Sequence, residues 1–163
     1  MKKFSRKLPF WIVALALCAG ALARAVDQKS EPPAQAAVVQ RAVDGDTVVL
    51  LGGERVRYIG VDTPELHHPR KPVQPYAREA MEFNRKLVEG KKVRLETDVE
   101  RRDKYNRLLA YVFLEDGRFV NAELVKAGYA QLLTIPPNVK YADLFRKLQR
   151  EARKANRGLW GKR

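Results

Sequence analysis

The chain has 163 residues, room for one domain and a processed end. Its 32 Lys and Arg against 19 Asp and Glu give a net charge of +13, which favours anionic partners such as nucleic acid or anionic lipid. Cys18 is its one cysteine, which excludes a disulfide-held scaffold, so stability must come from a core or a ligand.

The first seven residues, MKKFSRK, are basic, and residues 8–23 are apolar apart from Cys18 and Gly20. The triplets Ala21-Leu22-Ala23 and Ala23-Arg24-Ala25 both suit cleavage between small residues. This layout predicts a signal peptide over residues 1–25 and export to the periplasm or the medium. The apolar run is shorter than the roughly 20 residues of a spanning helix, which ranks an uncleaved membrane anchor second. Leu17 stands where a lipoprotein reading of Cys18 needs a small residue. Without residues 1–25, 27 basic residues face 19 acidic ones, so the rest stays basic. Residues 26–36 are polar and carry two prolines, as a flexible linker does, and residues 37–163 read as the folded domain.

Within that domain, alternation predicts strands over 37–43, 47–51 and 55–61, with Gly52-Gly53 as a hairpin turn. A proline-rich loop spans 64–75. A helix follows over 76–89, with Tyr76, Ala80, Phe83 and Leu87 on one face and Gly90 beyond its end. Strands are expected over 93–97 and 108–114, then a turn at Asp116-Gly117. Asn121 is placed as the cap of a short helix that ends before Gly128. Residues 129–135 read as extended. The last helix, 139–156, is expected to bury Tyr141, Leu144, Phe145, Leu148 and Ala152, with Trp160 folding back as a core plug. Five short strands with a helix between the third and fourth define an α+β, mainly β fold. It is a five-stranded barrel of the OB type with three helices.

Two acidic motifs fall at strand ends: Asp44-Gly45-Asp46-Thr47 and Asp62-Thr63-Pro64-Glu65. Each alone fits a turn or a loop start equally well. Together they offer hard oxygen donors of the kind calcium takes in sets of about six to eight. Two carboxylates and one carbonyl would make an open site with room for a phosphate and water. Arg57 and Arg107 present planar forks that fit phosphate, although either could be an ordinary surface arginine. In a regular strand Arg57 and Asp62 face opposite sides, so a shared site requires a bend, for which Gly60 is the candidate. His67-His68 reads as a loop pair and not a zinc site. Arg146, Lys147, Arg150, Arg153, Lys154 and Arg157 read as a solvated basic face on the last helix.

The strings VDGDTVVL, RVRYIGVDTPE, DKYNRLLAYV and VNAELVKAGYA occur in this order, and the loop HHPRKPVQPY follows Glu65. From about Val39 to Trp160 the chain resembles the staphylococcal nuclease family. The resemblance implies a calcium-dependent enzyme that hydrolyses DNA and RNA with little sequence specificity. Cleavage would fall between phosphorus and the 5′ oxygen and leave 3′-phosphate ends. It implies that Asp46 and Asp62 bind calcium through carboxylates and Thr63 through its carbonyl. Glu65 would position or deprotonate water, Arg57 and Arg107 would hold the phosphate, and Lys104 and Tyr105 would lie near a terminal phosphate. Asn106 replaces the family's glycine before Arg107. Thr134 and Pro136 are assigned to positions where the type member has two tyrosines at the base pocket, so base stacking is expected to differ. The expected protein is a monomer with no stable protein partner and no membrane contact after signal cleavage. The competing reading is a non-catalytic OB-type module that binds nucleic acid without cutting it.

Overall fold

The computed structural model describes residues 35–66 and 72–161. The expected signal peptide, most of the expected linker and the His67-His68 pair lie outside them. In chain order the elements are β1 (Gln35–Asp44), β2 (Thr47–Leu50), β3 (Arg55–Tyr58), β4 (Val61–Asp62) and α1 (Ala77–Val88). There follow β5 (Lys92–Glu96), β6 (Leu108–Leu114), α2 (Val120–Ala127), β7 (Gln131–Leu132), α3 (Ala142–Lys154) and a 3₁₀ turn (Gly158–Trp160).

Strands β1, β2, β3, β6 and β5 close into a barrel in that order, the five-stranded OB-type fold the pattern calls for. Closure rests on β1 serving two neighbours. Residues 35–38 pair antiparallel with β5 and residues 39–44 with β2. Register shifts at residues 39–41 and 42–44 bend the strand between them, as bulges do. The barrel thus begins at Gln35, inside the expected linker. Strands β3 and β6 run parallel, with Val56 opposite Leu108 and Arg57 opposite Leu109. That pairing brings the two arginine-bearing segments side by side.

The core is built from β-branched and aromatic side chains of the barrel, among them Val39, Val48, Val56, Tyr58, Tyr111 and Val112. Helix α2 adds Val120, Leu124 and Val125, and α3 adds Phe145, 1% exposed. Full burial of such a side chain stabilises by roughly 1.5–3 kcal/mol.

Several local expectations are corrected. The third strand stops at Tyr58, turns through Ile59-Gly60, and resumes as β4, which pairs with β7 outside the barrel. Helix α1 fully buries Ala77, Ala80, Asn84 and Val88, with the expected Phe83 and Leu87 packed at the edge of the core, while Tyr76 sits before the helix at φ +68°. Asn121 is not a cap. Phe119 precedes α2 without a side-chain cap, and Asn121 lies fully buried inside the helix. Its Oδ1 accepts from the Val112 N–H at 3.0 Å and its Nδ2 donates to the Ile59 carbonyl at 2.9 Å, bolting α2 to the barrel. Helix α3 starts at Ala142, and Leu144 faces outward. Trp160 is half-buried outside the core, with the Arg153 guanidinium 4.2 Å from its ring.

Candidate active site

The Asp44-Gly45-Asp46 segment joins β1 to β2, and it is more than a turn. A Cβ on Gly45 would lie 2.6 Å from Thr63 Oγ1, so glycine lets this segment press against the Asp62-Thr63 segment. Asp46 is buried. Its Oδ2 accepts from the Thr63 N–H at 2.8 Å and the Thr63 hydroxyl at 3.0 Å, and its Oδ1 accepts from the Thr47 hydroxyl at 3.1 Å. The two acidic motifs are therefore stitched together by hydrogen bonds.

Arg57 joins them from the other side. The turn at Gly60, φ +79°, reverses the strand's alternation and brings Asp62 back towards Arg57. Arg57 Nη1 donates to the Tyr58 carbonyl at 2.8 Å and the Val61 carbonyl at 2.7 Å, bracing that turn. Its Nη2 lies 2.8 Å from Asp62 Oδ1 and 3.1 Å from Asp46 Oδ2. One guanidinium nitrogen thus holds both carboxylates, whose oxygens converge on a single point.

Arg107 is set by a local loop. Asp103 Oδ1 accepts from the Tyr105 N–H at 2.9 Å and the Arg107 N–H at 3.0 Å, while Oδ2 takes Arg107 Nε at 2.7 Å. Burial pushes the Asp103 carboxyl up, but hydrogen bonds from the Arg107 N–H and guanidinium and the Tyr105 N–H outweigh it, and the carboxyl is held below its ordinary range. Asn106 completes the turn at φ +61°, a left-handed conformation that Asn accepts better than most residues.

Asp62 behaves in the opposite way. Half of its side chain is open to solvent. Its carboxyl is nonetheless pulled up, by desolvation first and then by the charges of Asp46 and Glu65, against the pull of Arg57.

A cleft of about 340 Å³ opens beside these groups, lined by Arg57, Arg107, Lys104 and Tyr105 among others. Its apolar wall includes Leu109, Leu133 and Ile135. Thr134 and Pro136 do not line it. Alternation in an extended segment sends Leu133 and Ile135 to the side opposite Thr134, so they, and not Thr134 and Pro136, face this cleft. Glu65 is exposed and lies outside the cleft lining, linked to Asp62 by charge. Its backbone is held by Gln74, whose Oε1 accepts the Glu65 N–H at 3.0 Å and whose N–H donates to the Glu65 carbonyl at 3.2 Å.

Sequence reasoning passed over four supporting residues. Asp103 was discernible as an acid four residues before Arg107. Asn84 was discernible as a polar residue amid the apolar face of α1. It is fully buried, accepts the Tyr58 hydroxyl at 2.9 Å and donates to the Asp44 carbonyl at 2.9 Å. Gln74 and Asn138 carry no local signal. Asn138 exchanges two 2.8 Å hydrogen bonds with the Glu100 backbone, tying together two loops that meet at the cleft.

A closed five-stranded barrel with a carboxylate pair held by Arg57, beside a cleft lined by Arg57 and Arg107, defines an OB-type protein. The chain belongs to the staphylococcal nuclease family: the model for staphylococcal nuclease homologues matches residues 55–162. It is 47% identical over 126 residues to the thermonuclease of Staphylococcus intermedius, covering 76% of this chain and 74% of that one. Endonuclease YncB of Bacillus subtilis (strain 168) is 45% identical over 129 residues, covering 76% of this chain and 61% of that one. The thermonuclease of Staphylococcus hyicus is 41% identical over 125 residues, covering 75% and 73% of the two chains.

Proposed function

We propose that this nuclease hydrolyses DNA and RNA in a calcium-dependent reaction with little sequence specificity, leaving 3′-phosphate ends. The observation that carries the reading is the single Arg57 nitrogen shared by Asp46 and Asp62 at the edge of a cleft that also holds Arg107.

Phosphodiester hydrolysis needs a nucleophile in line, a base, and positive charge on the phosphate oxygens. Arg57 and Arg107 supply that charge. The Nη1 edge of Arg57 is committed to two backbone carbonyls, so the Nη2 edge, now on the carboxylates, is the one a phosphate reaches. Glu65 stands exposed beside Asp62, free among the described residues of any hydrogen bond to its carboxylate, and orients or deprotonates the attacking water. Lys104 and Tyr105, on the cleft wall, receive a terminal phosphate.

The residues fit calcium by their donor chemistry. Asp46 and Asp62 converge on one point, and both offer hard oxygens, with the Thr63 carbonyl as a third donor. Asp46 Oδ2, which with Asp62 Oδ1 now faces the Arg57 guanidinium, accepts three donors, and Oδ1 accepts one, so a cation entering here would take the place of part of this hydrogen-bonding. When bound, the ion adds positive charge at the phosphate. The aliphatic wall of Leu109, Leu133 and Ile135 offers bases a surface without hydrogen-bond readout, which supports low sequence specificity. The basic and apolar pattern of residues 1–25 supports export, and the protein is proposed to act as a monomer free of the membrane.

The deciding experiment incubates the protein with plasmid DNA and calcium, then adds a chelator. Cleavage that stops on chelation is expected, and cleavage indifferent to the chelator, or none at all, would overturn the reading. Glu65→Gln is expected to lower kcat by about 10²–10⁴, the usual weight of a general base. Normal turnover in that variant would remove Glu65 from its role.

A further inference from the structure

The basic residues of α3 are sorted by type. Arg146, Arg150 and Arg153 fall at i, i+4 and i+7, one row along the helix, and Arg157 follows beyond its end. All four are exposed. Lys147 and Lys154, also exposed, lie on a different side of the helix. A merely solvated face gives no reason for this separation of arginine from lysine.

The arginine row has a direction in the molecule. Gln149 Oε1 accepts the Leu132 N–H at 2.7 Å, docking α3 on β7. Arg146 and Arg153 stand three residues before and four after Gln149, so both flank it on the helix surface. Neither lysine has that spacing. Strand β7 in turn pairs Gln131 with Asp62 and leads directly into Leu133 and Ile135 of the cleft wall. The helix that carries the row is therefore docked on the strand that leads into the cleft wall. Its three helical arginines span roughly 10 Å at the helical rise, about three phosphate spacings of one stacked strand.

The side chains are oriented but not consumed. Arg146 pairs with the exposed Asp143, a pairing a phosphate can displace at small cost. Arg153 lies over the face of the Trp160 ring, which holds the guanidinium while leaving its N–H edge available. Arg157 Nη1 donates to the Lys126 carbonyl at 3.1 Å. Arginine forks grip phosphate oxygens in pairs, whereas lysines act as point charges.

We propose that the row of Arg146, Arg150 and Arg153 is a phosphate-backbone exosite that carries a single nucleic-acid strand away from the cleft. The choice of ligand rests on the nuclease reading, and the test is arranged to separate the two. Binding of a fluorescein-labelled single-stranded DNA of roughly 20 nucleotides, several times the row's span, is measured in chelator across a salt series. The R146Q/R150Q variant is compared with K147Q/K154Q, which removes the same charge from the other side, and with the unaltered chain. Thymidine dinucleotide, too short to leave the cleft, serves as the second ligand.

R146Q/R150Q is expected to weaken 20-mer binding about tenfold and to lower the slope of log K against log[salt] by about 1.4, two single-strand phosphates' worth. Its dinucleotide affinity is expected to be unchanged, and K147Q/K154Q should retain most of its 20-mer affinity. Equal losses from the arginine and lysine pairs, a loss shared by the dinucleotide, or an unaltered salt slope would each overturn the exosite. Absence of plasmid cleavage alongside this binding pattern would instead overturn the nuclease reading and leave the exosite standing.

Discussion

Two residues outside the reacting groups govern how well those groups are held. Asn121 is buried, and its amide satisfies the Val112 N–H and the Ile59 carbonyl at once. Ile59 opens the turn that brings Asp62 back to Arg57, so this one side chain links α2, the barrel and the site. Asn121→Ala strands both backbone groups away from water, at roughly 1–3 kcal/mol each. A fall of about 2–4 kcal/mol is expected in urea unfolding, read as a lower midpoint at constant m. A loss under half a kcal/mol would show that the amide is no bolt. Asp103 acts in the same manner on Arg107, with a pH signature. Its carboxyl is depressed in the folded state, so its stabilisation is present above the unfolded carboxylate pKa of about 3.9 and is lost as pH falls through the lower folded value. Asp103→Asn is expected to lower stability at neutral pH and to flatten the acid limb of the stability profile. An acid limb identical to that of the unaltered chain would count against this assignment.

At the scale of elements, the turn between β3 and β4 decides whether the site assembles. Gly60 adopts φ +79°, and a Cβ there would lie 2.5 Å from Phe145 Cε2, a ring 1% exposed and unable to yield. Gly60→Ala adds left-handed strain of about 1–2 kcal/mol to overpacking of about 1–3 kcal/mol. The variant is expected to lose at least about 2 kcal/mol of stability and to lose turnover in larger proportion than substrate affinity, because the turn carries the Arg57–Asp62 geometry. Unchanged turnover in a stably folded Gly60→Ala protein would show that the turn does not set the site. This bend was legible in the sequence from the opposite parity of Arg57 and Asp62 alone, as were the barrel strands from their alternation. The β4–β7 pair and the parallel β3–β6 contact were not, because they join segments roughly 50 to 70 residues apart that carry no local mark of each other. Asn121 was misread for the same reason. Its partners are backbone groups of other elements, whereas its position before a helical run suits a cap. Thr134 and Pro136 were assigned from the resemblance, whereas Leu133 and Ile135 line the cleft, and in an extended segment one residue of offset exchanges the two faces.

Across the whole molecule, a chain of net charge +13 still holds a carboxyl, that of Asp62, above its ordinary range. Distant positive charges are screened within about 8 Å at physiological salt, so desolvation and the nearby Asp46 and Glu65 prevail over the chain's overall sign. A raised folded-state pKa means that ionising Asp62 opposes folding. The penalty is absent below the unfolded value of about 3.9, and it sets in as pH rises through the higher folded value. A bound cation would reverse this, since it favours the ionised form that folding alone disfavours. Global stability should therefore report on the site. In chelator at neutral pH, Asp62→Asn is expected to melt at or slightly above the temperature of the unaltered chain. Calcium at a hundredfold excess over its Kd should raise the unaltered chain by about 2.7 kcal/mol, a shift of several degrees in Tm. That rise should shrink as pH is lowered towards the carboxylate range, where protons compete for Asp62, and it should be largely absent from Asp62→Asn at any pH. Differential scanning calorimetry over a calcium and pH grid reads all of these. An equal calcium shift in both proteins would place the ion elsewhere and sever Asp62 from metal binding.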